Sequence, residues 1–395
     1  MSRPAGGAAA TVGAAELAPR VAAAAATRRA DLVEWLRLIS SLDAPSGDPT
    51  ALAPVADLLQ SWLASIDGRV SRRASAAGLQ IEAEFGPPGM AVEREGVLVL
   101  CHYDTVWPAG TVAARPFRVA GDLAYGPGVL DMRGGIVATL GALELLGELE
   151  ALRRPVRMLL TPDEETGSRA SRDLIARRAR EAAIALVPEP ALPGGALKTA
   201  RKGWIAYRLR IRGRAAHAGL DPEAGVSAID ELVDRLTEVR GLADPAAGTT
   251  ITCGMVRGGS AANVIAERAE AEIDVRFPDA SEEARIRAAF AALRPARPGA
   301  ELAVKELHSR PPLERTQAII AGAERARALG ALIGLELGEG SAGGVSDGNL
   351  AAAERVPVLD GLGPEGGGAH SVDEHVSLAS LVDRIALMAL LLAEV

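Results

Sequence analysis

Residues 96–101 read GVLVLC, a short unbroken apolar run opened by a glycine, and the run ends directly on His102-Tyr103-Asp104. A strand wetted on one face alternates apolar and polar side chains, whereas a run without alternation fits a strand covered on both faces. Two later runs share this character, PVRMLLT at 155–161 and AIALVP at 183–188. Between them, 134–149 and 171–182 carry apolar residues three and four apart, the helical spacing, as do 31–42 and 53–65 upstream. Strand, helix, strand, helix, strand predicts an α/β domain with a mostly parallel central sheet flanked by helices.

From residue 201 the pattern changes. GWIAYRLRIRG at 203–213 alternates, as do 249–256, AEAEIDVR at 269–276 and 301–307. Helical spacing returns at 225–241 and 281–293. The order β-α-β-β-α-β is that of a ferredoxin-like α+β domain. Helical spacing at 316–330 and the apolar run VPVLDGLG at 356–363 then resume the first domain. The expected organisation is a discontinuous first domain, 1–200 and 310–395, with an inserted second domain at 201–309.

Composition narrows the function. The 395 residues are 48% hydrophobic, enough for a large core, and carry a net charge of −8. An acidic chain with four Trp, three Tyr and four Phe is ill suited to nucleic acid, which selects for basic patches and stacked rings. Two cysteines build neither a disulfide framework nor a Cys-rich zinc module. No window suits a membrane span, and LVDRIALMALLLAEV at the C-terminal end reads as a packed helix. The Ala-rich start, broken by Glu16 and Arg20, lacks a strong apolar export core. It reads as a frayed or partly helical lead-in to a first helix near Arg29–Leu42, and the protein as cytoplasmic.

In open α/β sheets, ligands bind beyond the carboxyl ends of the strands. Those ends here carry His102 and Asp104, Asp163-Glu164-Glu165, Glu189 and, after the last apolar run, His370; Asp131 follows a Gly-rich turn. Each has an ordinary alternative: a polar loop histidine, an acidic helix start, or a helix cap for Asp131. Together they offer two imidazoles and several carboxylates, a set suited to zinc or another borderline divalent ion, with enough ligands for two ions sharing a carboxylate. In an adjacent Glu-Glu pair, one carboxylate can bind metal while the other takes a proton. Asp104, two residues after His102, is placed to hold the far ring nitrogen. Cys101, Cys253, His308 and His375 read as structural or solvated.

The chain resembles the M20 metallopeptidase family, above all its glutamate carboxypeptidase (carboxypeptidase G2-like) branch. The resemblance is carried by LVLCHYDTVWPAGT (98–111), YGPGVLDMRGG (125–135), TPDEETGSRASRDLI (161–175), LVPEPA (186–191) and KTARKG (198–203). It continues through GRAAHAG (213–219), SAANVIAERAEAEIDVRF (260–277), SRPP (309–312), GGVSDGNL (343–350) and GGGAHSVDEHV (366–376). It implies two Zn2+ per subunit, with Co2+ or Mn2+ as substitutes. Asp131 would bridge them, His102 and Glu189 completing one site and Glu165 and His370 the other. It also implies that Glu164 is the general base that activates a water and protonates the leaving nitrogen, with Asp104 supporting His102. The insert would be a dimerisation and lid domain. From it His217 would steady the oxyanion in the other subunit's site, Asn263 would help hold substrate, and Arg276 and Arg310 would clamp a carboxylate.

One departure is Arg133, where lysine is the commoner family residue. The implied activity is hydrolysis of an amide or peptide bond that releases a C-terminal amino acid, typically glutamate, from a small substrate with a free carboxylate. The alternatives are an N-acyl-amino-acid deacylase resembling acetylornithine deacetylase or aminoacylase, and, more remotely, a non-catalytic metal-dependent binding protein.

Overall fold

The computed structural model describes residues 13–86 and 96–395. Val97–His102 is buried along its whole length and pairs in parallel with Val156–Thr161 on one side and Ile184–Val187 on the other. Val358–Asp360 adds a further parallel strand beside Ile184–Val187. Coverage on both faces leaves few polar positions, which is why these strands read as nearly continuous apolar runs; the buried exceptions include Arg157, paired with Glu84 and Glu181, and Asp360. The full sheet runs Arg69–Ser75, Gly78–Phe85, Val156–Thr161, Val97–His102, Ile184–Val187, Val358–Asp360, Leu197–Arg201, Glu339–Ala342. The chain leaves Val97–His102 first to one side and then to the other, so the strand order reverses around that strand and opens a crevice at its carboxyl end.

Helices pack this sheet. Gly134–Glu148 is buried on nearly every residue and packs against the terminal helix Leu378–Glu394. That terminal helix buries Leu387, Leu390, Leu391 and Leu392 completely, each contributing about 1.5–3 kcal/mol. Its apolar sequence therefore belongs to the core, and no helix of the described residues is long and apolar enough to cross a membrane. The Ala-rich lead-in is more ordered than the sequence suggests: Ala14–Thr27 is a helix that buries Leu17, Ala18, Val21 and Ala25 and packs on the terminal helix. The expected tail at 1–12 lies outside the described residues.

The chain divides into two compact units. The second comprises Thr199–Thr316 and Ser341–Arg355. Its sheet is antiparallel throughout, in the order Thr250–Gly258, Arg268–Phe277, Gly203–Arg212, Glu301–Arg310. Ile205, Tyr207, Leu209 and Ile211 face a core completed by Ile286 and Phe290 of the helix Ala280–Ala292, with the Tyr207 and Phe290 rings stacked at 3.9 Å. This unit takes in 310–316 and 341–355, which the expected boundaries assign to the first domain. The contacts explain the difference. Arg310 Nη1 donates to Asp347 Oδ1 at 3.0 Å. Asn349 Nδ2 donates to the carbonyls of Lys202 and Pro311, and Lys202 N–H donates to the Ala342 carbonyl.

Candidate metal centre

The first unit gathers the strand-end residues. His102 is the last residue of its strand, in register with Thr161. Beyond Thr161 the chain turns through Asp163 into a short 3-10 helix, Glu164–Thr166. Glu189 follows Ile184–Val187 after one residue, Pro188. Asp131 lies in the irregular turn before the helix Gly134–Glu148, and that helix can approach the Glu189 strand end because Gly135 has no side chain: a Cβ there would lie 1.8 Å from the Pro188 carbonyl oxygen. His370 has φ +62°, a left-handed conformation that histidine tolerates better than most residues.

Two groups of ligand atoms result, His102 with Asp131 and Glu189, and Asp131 with Glu165 and His370, the atoms of each lying within 4.8 Å of one another. His102 Nε2 is 3.3 Å from Asp131 Oδ1 and 3.5 Å from Glu189 Oε1. His370 Nε2 is 3.4 Å from Asp131 Oδ2 and 3.2 Å from Glu165 Oε2. His102 Nδ1 lies 3.1 Å from the Asp104 carbonyl and 3.4 Å from its carboxylate. A proton held there leaves the Nε2 lone pair facing Asp131 and Glu189, the tautomer a metal ligand needs.

Asp104 does more than the sequence suggests. Its buried carboxylate accepts the N–H groups of Glu164 and Glu165, each at 3.2 Å, and the Ser46 hydroxyl at 2.6 Å. It thereby fixes the Glu164–Glu165 turn relative to His102. Glu164 belongs to neither ligand group among the described residues.

The electrostatics match an ion site. Burial disfavours a charged His102, but hydrogen bonding to Asp104, Asp131 and Glu189 outweighs it and holds the imidazolium well above its ordinary range. Burial would raise Asp131, yet the two imidazoles hold it far below the usual carboxylate range. Burial raises Glu165, with Asp131 adding to the effect against the pull of His370. Hydrogen bonds to Asp131 and Glu165 push His370 up to about 10. Protons stand where divalent cations would fit, and the buried Glu165 Oε1 has no hydrogen-bond partner among the described residues. Two imidazoles, three carboxylates and an orphaned carboxylate oxygen fit a pair of borderline divalent ions.

The remaining predicted site residues lie in the second unit. His217 is exposed and its Nδ1 accepts the N–H groups of Gly219 and Leu220, so the neutral ring carries its proton on Nε2. Ala218 N–H donates to the Asn263 carbonyl at 2.9 Å, which brings His217 and Asn263 together. Arg276 and Arg310 are both in register with Trp204, on its two sides. Arg276 pairs with Asp274 at 2.9 Å, and Arg310 is wholly buried on Asp347. His308 stacks on Trp204, Cys101 is buried in its strand, and His375 packs beside Tyr125. The sequence reading missed Ser46 and Glu374, both of which hold the centre's loops. Ser46 gave no signal, and Glu374 only its place inside GGGAHSVDEHV.

The model of peptidase family M20/M25/M40 matches residues 98–394. Carboxypeptidase G2 of Pseudomonas sp. (strain RS-16) is 30% identical over 94% of this chain and 91% of its own length. Acetylornithine deacetylase of Pasteurella multocida is 31% identical over 56% of this chain and 60% of its own. Among solved structures, aminopeptidase PepT from Bacillus cereus superposes with a TM-score of 0.75 at 20% identity, covering 92% of this chain and 98% of that one. The M20 family metallo-carboxypeptidase Sso-CP2 from Sulfolobus solfataricus does so with 0.70 at 16%, covering 92% and 98%.

Proposed function

The chain belongs to peptidase family M20/M25/M40, and from that premise we propose that it is a di-zinc hydrolase that cleaves an amide or peptide bond to release a C-terminal amino acid, glutamate in preference. The observation that carries the reading is the placing of one Asp131 oxygen toward each of two imidazoles, each imidazole with its own glutamate. Similarity to carboxypeptidase G2 over 94% of the chain, against 56% for the deacetylase, favours the carboxypeptidase over the deacylase.

His102 and Glu189 would hold one ion, Glu165 and His370 the other, and Asp131 both. Bound there, the ions would polarise the scissile carbonyl and acidify a water. Glu164, on the same turn as Glu165, takes the water's proton and returns it to the leaving nitrogen. Asp104 keeps that turn and His102 in fixed relation. Arg276, partly exposed beside Asp274, receives the substrate carboxylate, and Arg310, wholly buried on Asp347, joins it only where substrate binding uncovers its guanidinium. Asn263 holds substrate, and His217 donates its Nε2–H to the oxyanion.

The reading includes a homodimer formed through the second unit. Arg276 and Arg310 flank Trp204 near the start of Gly203–Arg212, while His217 and Asn263 lie beyond its end. Eight residues of strand separate Trp204 from Arg212, about 26 Å at 3.3 Å per residue. One small substrate does not span that distance, so a site using both pairs draws them from two subunits. Ile229 and Val233 on one helix face, with Met255 and Val256 on the edge strand Thr250–Gly258, are 40–59% exposed and suit the interface. A cytoplasmic location accords with two free cysteines.

The test is a panel of N-acyl glutamates, glutamate-tailed dipeptides and N-acetyl amino acids on the Zn2+-loaded protein. Turnover of glutamate-tailed substrates supports the reading. Turnover confined to N-acetyl amino acids would replace it with the deacylase. Glu164→Gln should retain metal and lose about 10²–10⁴-fold or more in kcat.

A further inference from the structure

We propose that Glu374 is a positioning residue that sets the shared ligand Asp131 and ties its loop to the segment bearing His370. The identity of Asp131 as a shared ligand rests on the reading above. The carboxylate of Glu374 is 2% exposed and takes four donors. Oε1 accepts the N–H groups of Leu130 at 3.0 Å and of Asp131 itself at 3.2 Å. Oε2 accepts Gly128 N–H at 2.9 Å and the Trp107 indole N–H at 3.2 Å.

Three of the four donors are backbone groups of the turn that presents Asp131. The turn's own backbone bonds, Val129 N–H to Gly126 O and Arg133 N–H to Gly128 O, use other donors than the N–H groups of Gly128, Leu130 and Asp131, and Asp131 and Met132 depart from helical dihedrals. A buried N–H left without a partner is costly, so the turn's path is set by whatever acceptor stands beneath it. Here the acceptor is an ionised group, and each bond is charge-assisted. Glu374 also lies four residues after His370, in a turn closed by Ser371 N–H to Gly368 O and by Glu374 N–H to Ser371 O. Its own carbonyl accepts Gly126 N–H, and the next residue, His375, pairs in register with Tyr125. One side chain therefore links the loop of the shared ligand to the loop of a ligand of one site only.

Glutamine is the diagnostic replacement. It keeps the shape of glutamate but turns one oxygen into an NH2 that cannot accept. Either amide orientation then sets a donor against two N–H groups: those of Leu130 and Asp131, or those of Gly128 and Trp107. Partners of ligand residues typically change metal affinity about 10–100-fold.

The experiment titrates metal-free protein with Zn2+ against a chromophoric chelator, records the visible spectrum of the Co2+-loaded protein, and measures the Tm of the metal-free form. For Glu374→Gln the expected result is an affinity about 10–100-fold weaker for at least one ion, with a changed Co2+ spectrum. Trp107→Phe removes the one donor outside the Asp131 turn and should bind near wild type. Wild-type affinity and spectrum in folded Glu374→Gln would overturn the proposal, even with a lowered Tm. So would a loss in Trp107→Phe equal to that in Glu374→Gln. If the glutamine variant does not fold, Glu374→Asp is read on the same scale, with weakened binding supporting and unchanged binding refuting. None of these readouts requires turnover, so failure of the substrate assignment would be seen separately.

Discussion

Asp131 presents Oδ1 to His102 Nε2 at 3.3 Å and Oδ2 to His370 Nε2 at 3.4 Å, so one carboxylate divides between two imidazoles. Each imidazole has a glutamate of its own, Glu189 and Glu165. Loss of the shared group should therefore differ in kind from loss of an unshared one. Asp131→Ala is expected to bind neither ion tightly, while His370→Ala retains about one per chain. Metal analysis after dialysis against a fixed free Zn2+ concentration checks this; equal stoichiometry in the two variants would refute a shared ligand.

Metal uptake should release protons. A metal takes the neutral imidazole, but Asp131 and Glu165 hold His370 protonated up to about pH 10 in the metal-free protein. Apparent affinity should rise with pH through the neutral range, about tenfold per unit for each proton displaced. Calorimetry in buffers of differing ionisation enthalpy measures the release. The linkage runs oppositely for the metal-free fold. The raised pKa of His370 stabilises that fold fully below the ordinary histidine value of about 6.5, and the contribution fades as pH climbs through about 10.

Arg133 is wholly buried, and its guanidinium donates to the carbonyls of Ile39, Leu42 and Pro127 at 2.8, 3.0 and 3.3 Å. A fork reaching three carbonyls is not reproduced by a point charge. Burial already lowers Arg133 to about 10, against the opposing charges of Glu374 and Asp43. A lysine, ordinarily near 10.4, would be driven toward neutrality at the same place. Arg133→Lys should cost about 1–3 kcal/mol in denaturant unfolding of the metal-free protein.

The dimer reading makes a complementation prediction. Glu164→Gln and His217→Ala should each be nearly inactive alone. Mixed in equal amounts and allowed to exchange subunits, half the dimers are mixed, and each mixed dimer has one intact site. Activity should recover to about a quarter of wild type if His217 serves the partner's site. No recovery despite proven exchange would place His217 in its own subunit's site, or outside the site.

The sequence determined a good deal by itself. Strands buried on both faces left nearly uninterrupted apolar runs, and the alternating strands of the second unit left a period of two; both patterns follow from which faces water reaches. The candidate ligand set was legible because sheet topology sends strand ends to one edge, so His102, Glu165 and Glu189 stood out as candidates by following strands. Elements with no such pressure were silent. Arg69–Ser75 is a mostly polar edge strand, and the short strands 118–120, 123–125, 366–367 and 375–377 are two or three residues each. Only the tertiary structure decided that Asp131 splits its oxygens, that Asp104 accepts the Glu164 and Glu165 N–H groups, that Arg133 is a buried fork, and that Glu374 lies beneath the Asp131 turn. Each depends on a distance between groups remote in the chain, and a side chain's identity states what bond it can make but not which partner folding will bring to it.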